Sequence, residues 1–171
     1  ILHASSLLTC NNPEHKFLVH NVDILSNLRL EELWAYSSES SDAVLVVSKR
    51  KTARYLIFDD DMKLVGWTNI QTGEVKSPFN EVHETIAKLH SNELDIEKYH
   101  LRAFAGIHYI KTKLIDSMYS WPTKFSIIDF YLKNCDSHEI KGYTFEDLKL
   151  IDVGKLHTLE DANNFARILQ E

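Results

Sequence analysis

The run Ala43-Val-Leu-Val-Val47 contains no polar residue. An unbroken, valine-rich run of this kind is the signature of a strand covered on both faces. An earlier apolar run, Phe17 to Val19, reads as another strand. Between the two, over Leu28 to Tyr36, Leu30, Leu33 and Trp34 recur at helical spacing with Arg29, Glu31 and Glu32 on the other side. Strand, helix, strand in this order predicts a parallel sheet with a crossover helix.

The remaining chain continues the alternation. Ile1 to Leu8 reads as a short apolar helix, and Arg54 to Phe58 and Lys63 to Trp67 as two strands around Asp59-Asp60-Asp61-Met62. Those three aspartates read as a solvated hairpin tip rather than a cation site, because adjacent strand residues point to opposite faces. A polar-rich helix is expected over Glu81 to Leu89. In it His83-Glu84 lacks the second histidine of the zinc-protease pattern, since Ala87 stands there. Arg102 to Ile110 is a strand interrupted by Gly106, which marks either a bulge or the close approach of a backbone or ligand. Phe125 to Leu132 is an amphipathic helix, and Glu139 to Tyr143 and Leu148 to Ile151 are short strands around a turn at Glu146-Asp147. A capping box at Thr158 to Asp161 then opens a last helix, whose Ala162, Phe165, Ala166 and Leu169 form an apolar stripe.

Length and charge narrow the function. The 171 residues suit a single domain, residues 1–171, with a real core. A net charge of −6 argues against a nucleic-acid binder, which needs clustered Lys and Arg to neutralise phosphates. No run approaches membrane-spanning length. Cys10 and Cys135 stand alone, as suits a reducing compartment, so a cytoplasmic protein with no membrane partner is expected. The chain begins at Ile1, which reads as a piece of something longer.

Two acids share one local setting. Asp23 ends the first strand just past Asn21, with Ser26 or Asn27 offering a cap for the helix behind it, and Asp152 ends the last strand before Gly154 and a capped helix. Taken singly, Asp23 reads first as a turn residue satisfied by backbone N–H groups, with a site residue at the carboxyl end of a strand, where open α/β sheets bind ligands, as the alternative. Taken together, two such carboxylates suit Mg²⁺, a hard cation that takes one or two carboxylates and fills its other positions with water and phosphate oxygens.

The segments Phe17 to Ile24, Ala43 to Val47, Gly66-Trp67, Phe104 to Ile107, Tyr131-Leu132, Ile140 to Tyr143 and Asp152 to Gly154, continuing through Leu159, Ala162 and Asn163, resemble in their order the sugar-1-phosphate nucleotidyltransferases. The likeness is to the small bacterial type, similar to N-acetylmuramate-1-phosphate uridylyltransferases and mannose-1-phosphate guanylyltransferases. It implies an α/β, Rossmann-like (GT-A-like) domain with a mixed, mostly parallel sheet flanked by helices. It also implies roles: Asp23 and Asp152 as the Mg²⁺-binding catalytic pair, with Asn21, Gly106 and Lys76 contacting substrate. Leu150 stands where the family has tryptophan, and the five glycines are too scattered to form the family's glycine-rich phosphate loop. On this resemblance the chain is the carboxyl-terminal two-thirds of an N-terminally truncated catalytic domain. The partners implied are a nucleoside triphosphate and a sugar 1-phosphate, and the isolated chain is expected to turn over poorly or not at all. Self-association through surface that the missing third would cover is a further expectation. Two rival readings are a non-catalytic nucleotidyltransferase-like binding or assembly module and a Mg²⁺-dependent sugar-phosphate hydrolase using the same acids.

Overall fold

The computed structural model describes residues 1–8, 12, 14–37, 41–87, 95–96, 98–154 and 159–169. A 3₁₀ turn at Leu2–Ala4 leads into α1 (Ser5–Leu8), β1 (Lys16–His20), β2 (Ile24–Ser26), α2 (Leu30–Tyr36) and β3 (Ala43–Ser48). Then follow β4 (Arg54–Phe58), β5 (Leu64–Asn69), β6 (Glu74–Lys76), α3 (Asn80–Ala87), β7 (Asp95–Ile96) and the long β8 (Tyr99–Lys111). The chain closes with α4 (Lys113–Met118), α5 (Ile127–Asn134), β9 (Ile140–Thr144), β10 (Leu150–Asp152) and α6 (Leu159–Ile168). Thr158 and its expected capping box, Cys10 and Leu89 lie outside the described residues.

An eight-stranded mixed sheet carries the fold, in the order β6-β5-β4-β8-β3-β9, with β1 and β7 also pairing with β8; β2 and β10 form a separate two-stranded ribbon. The α/β architecture with flanking helices is as expected. The balance of pairings is not. β1 and β3 run the same way, but β8 pairs antiparallel with both, and β3–β9 is the parallel pair among the described strands. The helix between β1 and β3 therefore spans two strand positions rather than linking neighbours. A sequence order of strand, helix and strand fixes direction; it does not show which distant strand inserts between them.

The two-faced burial read from residues 43–47 is observed. Ala43, Leu45 and Val47 face a core shared with Leu114, Met118, Phe130 and Tyr131 of α4 and α5. Val44 and Val46 face Leu33 of α2 together with Ile24 and Leu150 of the ribbon. A third cluster joins Tyr55, Ile57 and Val65 of β4 and β5 to Val82 and Ile86 of α3. The three aspartates are indeed a hairpin tip: Asp59 Oδ1 accepts from the Asp61 and Lys63 amides at 3.1 and 2.8 Å, and Met62 takes the left-handed φ of 57°. On α6, Ala162 and Phe165 are buried, but Leu169 is 44% exposed, so the apolar stripe ends one turn early.

Gly106 is both a bulge and a point of close approach. Opposite it, the β3–β8 register jumps from Leu45–His108 to Val47–Phe104, and Gly106 has φ +78°. A Cβ there would lie 2.7 Å from Asn21 Nδ2. Gly106→Ala is expected to cost about 1–3 kcal/mol in urea unfolding, from backbone strain and displacement of Asn21; an unchanged midpoint would contradict it.

His108 sits two residues along β8 and is 3% exposed. It stands edge-on to Tyr131 and packs on Phe104, and neither its ring nitrogens nor the Tyr131 hydroxyl has a hydrogen-bond partner among the described residues. Burial pushes the imidazole pKa down to about 4 from 6.5. The unfolded chain thus binds a proton below pH 6.5 that the folded chain refuses, so stability falls as pH drops from 6.5 toward 4, by roughly 3 kcal/mol. Chemical denaturation of His108→Phe across that window should show the slope largely removed.

Candidate active site at the strand ends

β1, β3 and β9 share a direction, so their carboxyl ends open toward one rim of the sheet. β1 stops where β8 bulges: His20 is registered with Ile107, and the Asn21 amide donates to the Gly106 carbonyl at 3.0 Å. The chain then turns, with the Ile24 amide donating to the Asn21 carbonyl at 3.3 Å, and enters β2. The helix start expected at Ser26 or Asn27 is not there. Ser26 is registered with Leu150 on β10, while the Asn27 side chain holds Asp147 and Lys149 backbone groups; α2 begins later, with Arg29 as an N-cap whose side chain does not cap the helix. Pairing with β10, distant in sequence, outcompetes the local cap.

That ribbon brings the two acids together. Asp152 is registered with Ile24, and the Val153 amide donates to the Asp23 carbonyl at 2.8 Å. Asp152 Oδ1 accepts from the Gly154 amide at 2.9 Å. A Cβ placed on Gly154 would lie 3.1 Å from Asp152 Oδ1 and 3.3 Å from Asp23 Oδ2. Both carboxylates are exposed and flank one point, which only a residue without a side chain leaves open. Asn21, clamped on Gly106 of β8, stands two residues before Asp23 on the same turn. The structure thus gathers Asp23, Asp152, Asn21 and Gly106 at one rim.

Lys76 is not among them. It sits on β6, separated from β8 by β5 and β4, about 14 Å at the usual strand spacing. Its ammonium pairs with Asp129 at 3.2 Å and Glu74 at 3.8 Å and lies 5.2 Å above the Trp67 ring. No group of three or more His, Cys, Asp or Glu side chains placed to hold a metal ion occurs among the described residues.

Beside the rim lies a cavity of about 620 Å³ that the sequence reading did not anticipate. One wall is Ser48, Lys49 and Arg50, just past β3; the other is Thr144, Phe145 and Glu146, just past β9, with Leu150 of β10 closing it. It occupies the carboxyl ends of the two adjacent parallel strands, where such sheets place ligands. Lys49 pairs with Asp95 at 3.0 Å. Burial would raise the Asp95 carboxyl, but hydrogen bonds from Arg102, Lys49 and His100 outweigh it and hold it well below the usual carboxylate range. The available signal was the cluster Lys49, Arg50, Lys51 and Arg54 directly behind the most apolar strand; without the fold it is indistinguishable from a solvated loop.

No family model matches the chain, and no curated protein matches it in sequence. Solved structures do match in fold. HddC from Yersinia pseudotuberculosis, in complex with GMP-PN, superposes with a TM-score of 0.60 at 16% identity, covering 96% of this chain and 60% of that one. A putative glucose-1-phosphate thymidylyltransferase from Bacillus anthracis gives 0.63 at 12% identity, covering 97% and 58%. The inositol-1-phosphate CTP transferase from T. maritima gives 0.56 at 15%, covering 93% and 58%. The chain thus spans 58–60% of the length of these matched proteins and shares their α/β fold.

Proposed function

We propose that the chain is the catalytic-pair portion of a cytoplasmic, Mg²⁺-dependent nucleotidyltransferase that joins a nucleoside triphosphate to a sugar 1-phosphate. The observation that carries this reading is the meeting of Asp23 and Asp152 beside Gly154. It is supported by the fold shared with a thymidylyltransferase and a CTP transferase.

In the proposed reaction a phosphate oxygen of the sugar 1-phosphate attacks the α-phosphorus of the triphosphate. A new P–O bond forms, the bond between the α-phosphorus and the bridging oxygen breaks, and pyrophosphate departs with that oxygen. No covalent enzyme intermediate is required, and catalysis is positioning and charge stabilisation. The donor set fits a hard divalent cation: two exposed carboxylates about a point that a Cβ would fill. Asp23 and Asp152 would hold Mg²⁺, which supplies neutralisation of the charge on the transferring phosphate. The turn from Asn21 to Asp23, tied to the Gly106 carbonyl and to the Val153 amide, fixes where the first carboxylate points. The Gly154 amide fixes the second.

Titration with Mn²⁺ as a paramagnetic stand-in should broaden the amide signals of residues 22–24 and 152–154 first. Asp23→Asn or Asp152→Asn should weaken that binding by about tenfold or more, through loss of half the anionic donor set. Broadening elsewhere that neither substitution alters would overturn the reading. With an α-labelled triphosphate and a sugar 1-phosphate, the label should enter a nucleotide sugar in the complete protein. Free phosphate released from the sugar phosphate without any triphosphate would instead mark a hydrolase.

A further inference from the structure

The β2–β10 ribbon has three registered pairs, Ile24–Asp152, Leu25–Ile151 and Ser26–Leu150. One step further at the acid end, Val153 stands opposite Asp23, and its amide donates to the Asp23 carbonyl at 2.8 Å. One step further at the other end, Asn27 stands opposite Lys149, and the Asn27 amide donates to the Lys149 carbonyl at 3.4 Å. There the Asn27 side chain completes the ladder. Its Oδ1 accepts from the Lys149 amide at 2.8 Å, and its Nδ2 donates to the Asp147 carbonyl at 2.9 Å. A carboxamide carries donor and acceptor in one plane, as a peptide unit does, so it can serve as a further rung.

Burial alone does not fix this register. The ribbon packs on Val44 and Val46 of β3 through Ile24 and Leu28 on one side and Leu148 and Leu150 on the other. A slip of one residue would turn those side chains away from the sheet. A slip of two would keep an apolar face inward, because side chains on a strand repeat every second residue. Two residues are about 7 Å along a strand, enough to part carboxylates that now flank one point beside Gly154. The partners of the carboxamide mark one place on β10. They sit where the turn closed by the Leu148 amide on the Phe145 carbonyl, at 3.1 Å, passes into the strand.

We propose that Asn27 is a positioning residue: its carboxamide sets the register of the β2–β10 ribbon and so holds Asp23 and Asp152 within reach of one divalent cation. It touches neither carboxylate and acts through the strands that carry them. The inference rests on the metal-pair reading for its purpose, but the register itself is tested without metal.

The test joins amide hydrogen exchange to the Mn²⁺ titration. Without metal, Asn27→Ala should speed exchange of the Val153 amide, at the far end of the ribbon, by about tenfold through loss of two side-chain hydrogen bonds. Leu45 and Val46 in β3 should keep their rates. Asn27→Asp, which retains the acceptor for the Lys149 amide and loses the donor, should lie between Asn27→Ala and the unaltered chain. In the titration, Asn27→Ala should weaken Mn²⁺ broadening of residues 22–24 and 152–154 about as much as Asp152→Asn does. In the Asp152→Asn background it should add nothing, because a residue that holds a pair together has no effect once the pair is gone. Unchanged Val153 exchange overturns the proposal, as does an equal loss of Mn²⁺ affinity in both backgrounds. Faster exchange at Leu45 and Val46 together with Val153 also overturns it, since that marks general loosening. An unaltered chain that takes no Mn²⁺ at the aspartates sinks the metal reading instead, and Val153 exchange still decides whether Asn27 sets the register.

Discussion

The thirteen-residue strand β8 is the constraint on which the rest of the structure depends. It pairs antiparallel with β1, β3, β4 and β7, so every part of the large sheet is registered directly or indirectly against it. A single irregularity, the positive φ at Gly106, determines where β1 ends and where the chain after it turns. Because β1 and β3 flank β8 and run together, their carboxyl ends reach the same rim. The turn holding Asn21 and Asp23 is seated there by backbone bonds rather than by loop chance.

The opposite end of these strands is fixed by charge. Asp42, at the entry to β3, takes a short ion pair with Lys113 of α4, a 2.9 Å contact with His138 Nδ1 and a 3.3 Å hydrogen bond from the Glu139 amide. Burial would raise its pKa, but hydrogen bonds from Lys113 and His138 and the Lys113 charge hold it lowered. These bonds join β3, α4 and the start of β9 at one point. A charge-paired base at one end of the strands thus stands opposite the exposed Asp23 and Asp152 carboxylates at the other. The buried His108, lacking partners in the core between these ends, makes the same sheet sensitive to acid.

Pairing between distant segments also explains why Lys76, expected at the rim with the other candidate residues, stands apart from them. Lys76 is the last residue of a short strand that extends the sheet on the far side of β4 and β5, and its side chain turns toward α5. Arg50 and Lys49 follow a central strand instead, and the parallel neighbour β9 sets Phe145 and Glu146 opposite them. Position in the sheet, not position in the chain, decides which basic residue stands near the rim.

The sequence by itself determined the strands and helices whose signal is local and strong: the doubly buried Ala43–Val47 run, the Asp59 hairpin, the amphipathic α5, and acids at the ends of Phe17–Val19 and Leu148–Ile151. Those follow from side-chain periodicity and turn chemistry over a few residues. Tertiary structure alone decided that β8 enters between β1 and β3, that β2 replaces the expected helix start by pairing with β10, and that Asp23, Asp152 and Gly154 share a point. Each of those outcomes is a hydrogen-bonded register between segments far apart in the chain, and no local pattern encodes which distant strand an edge will choose.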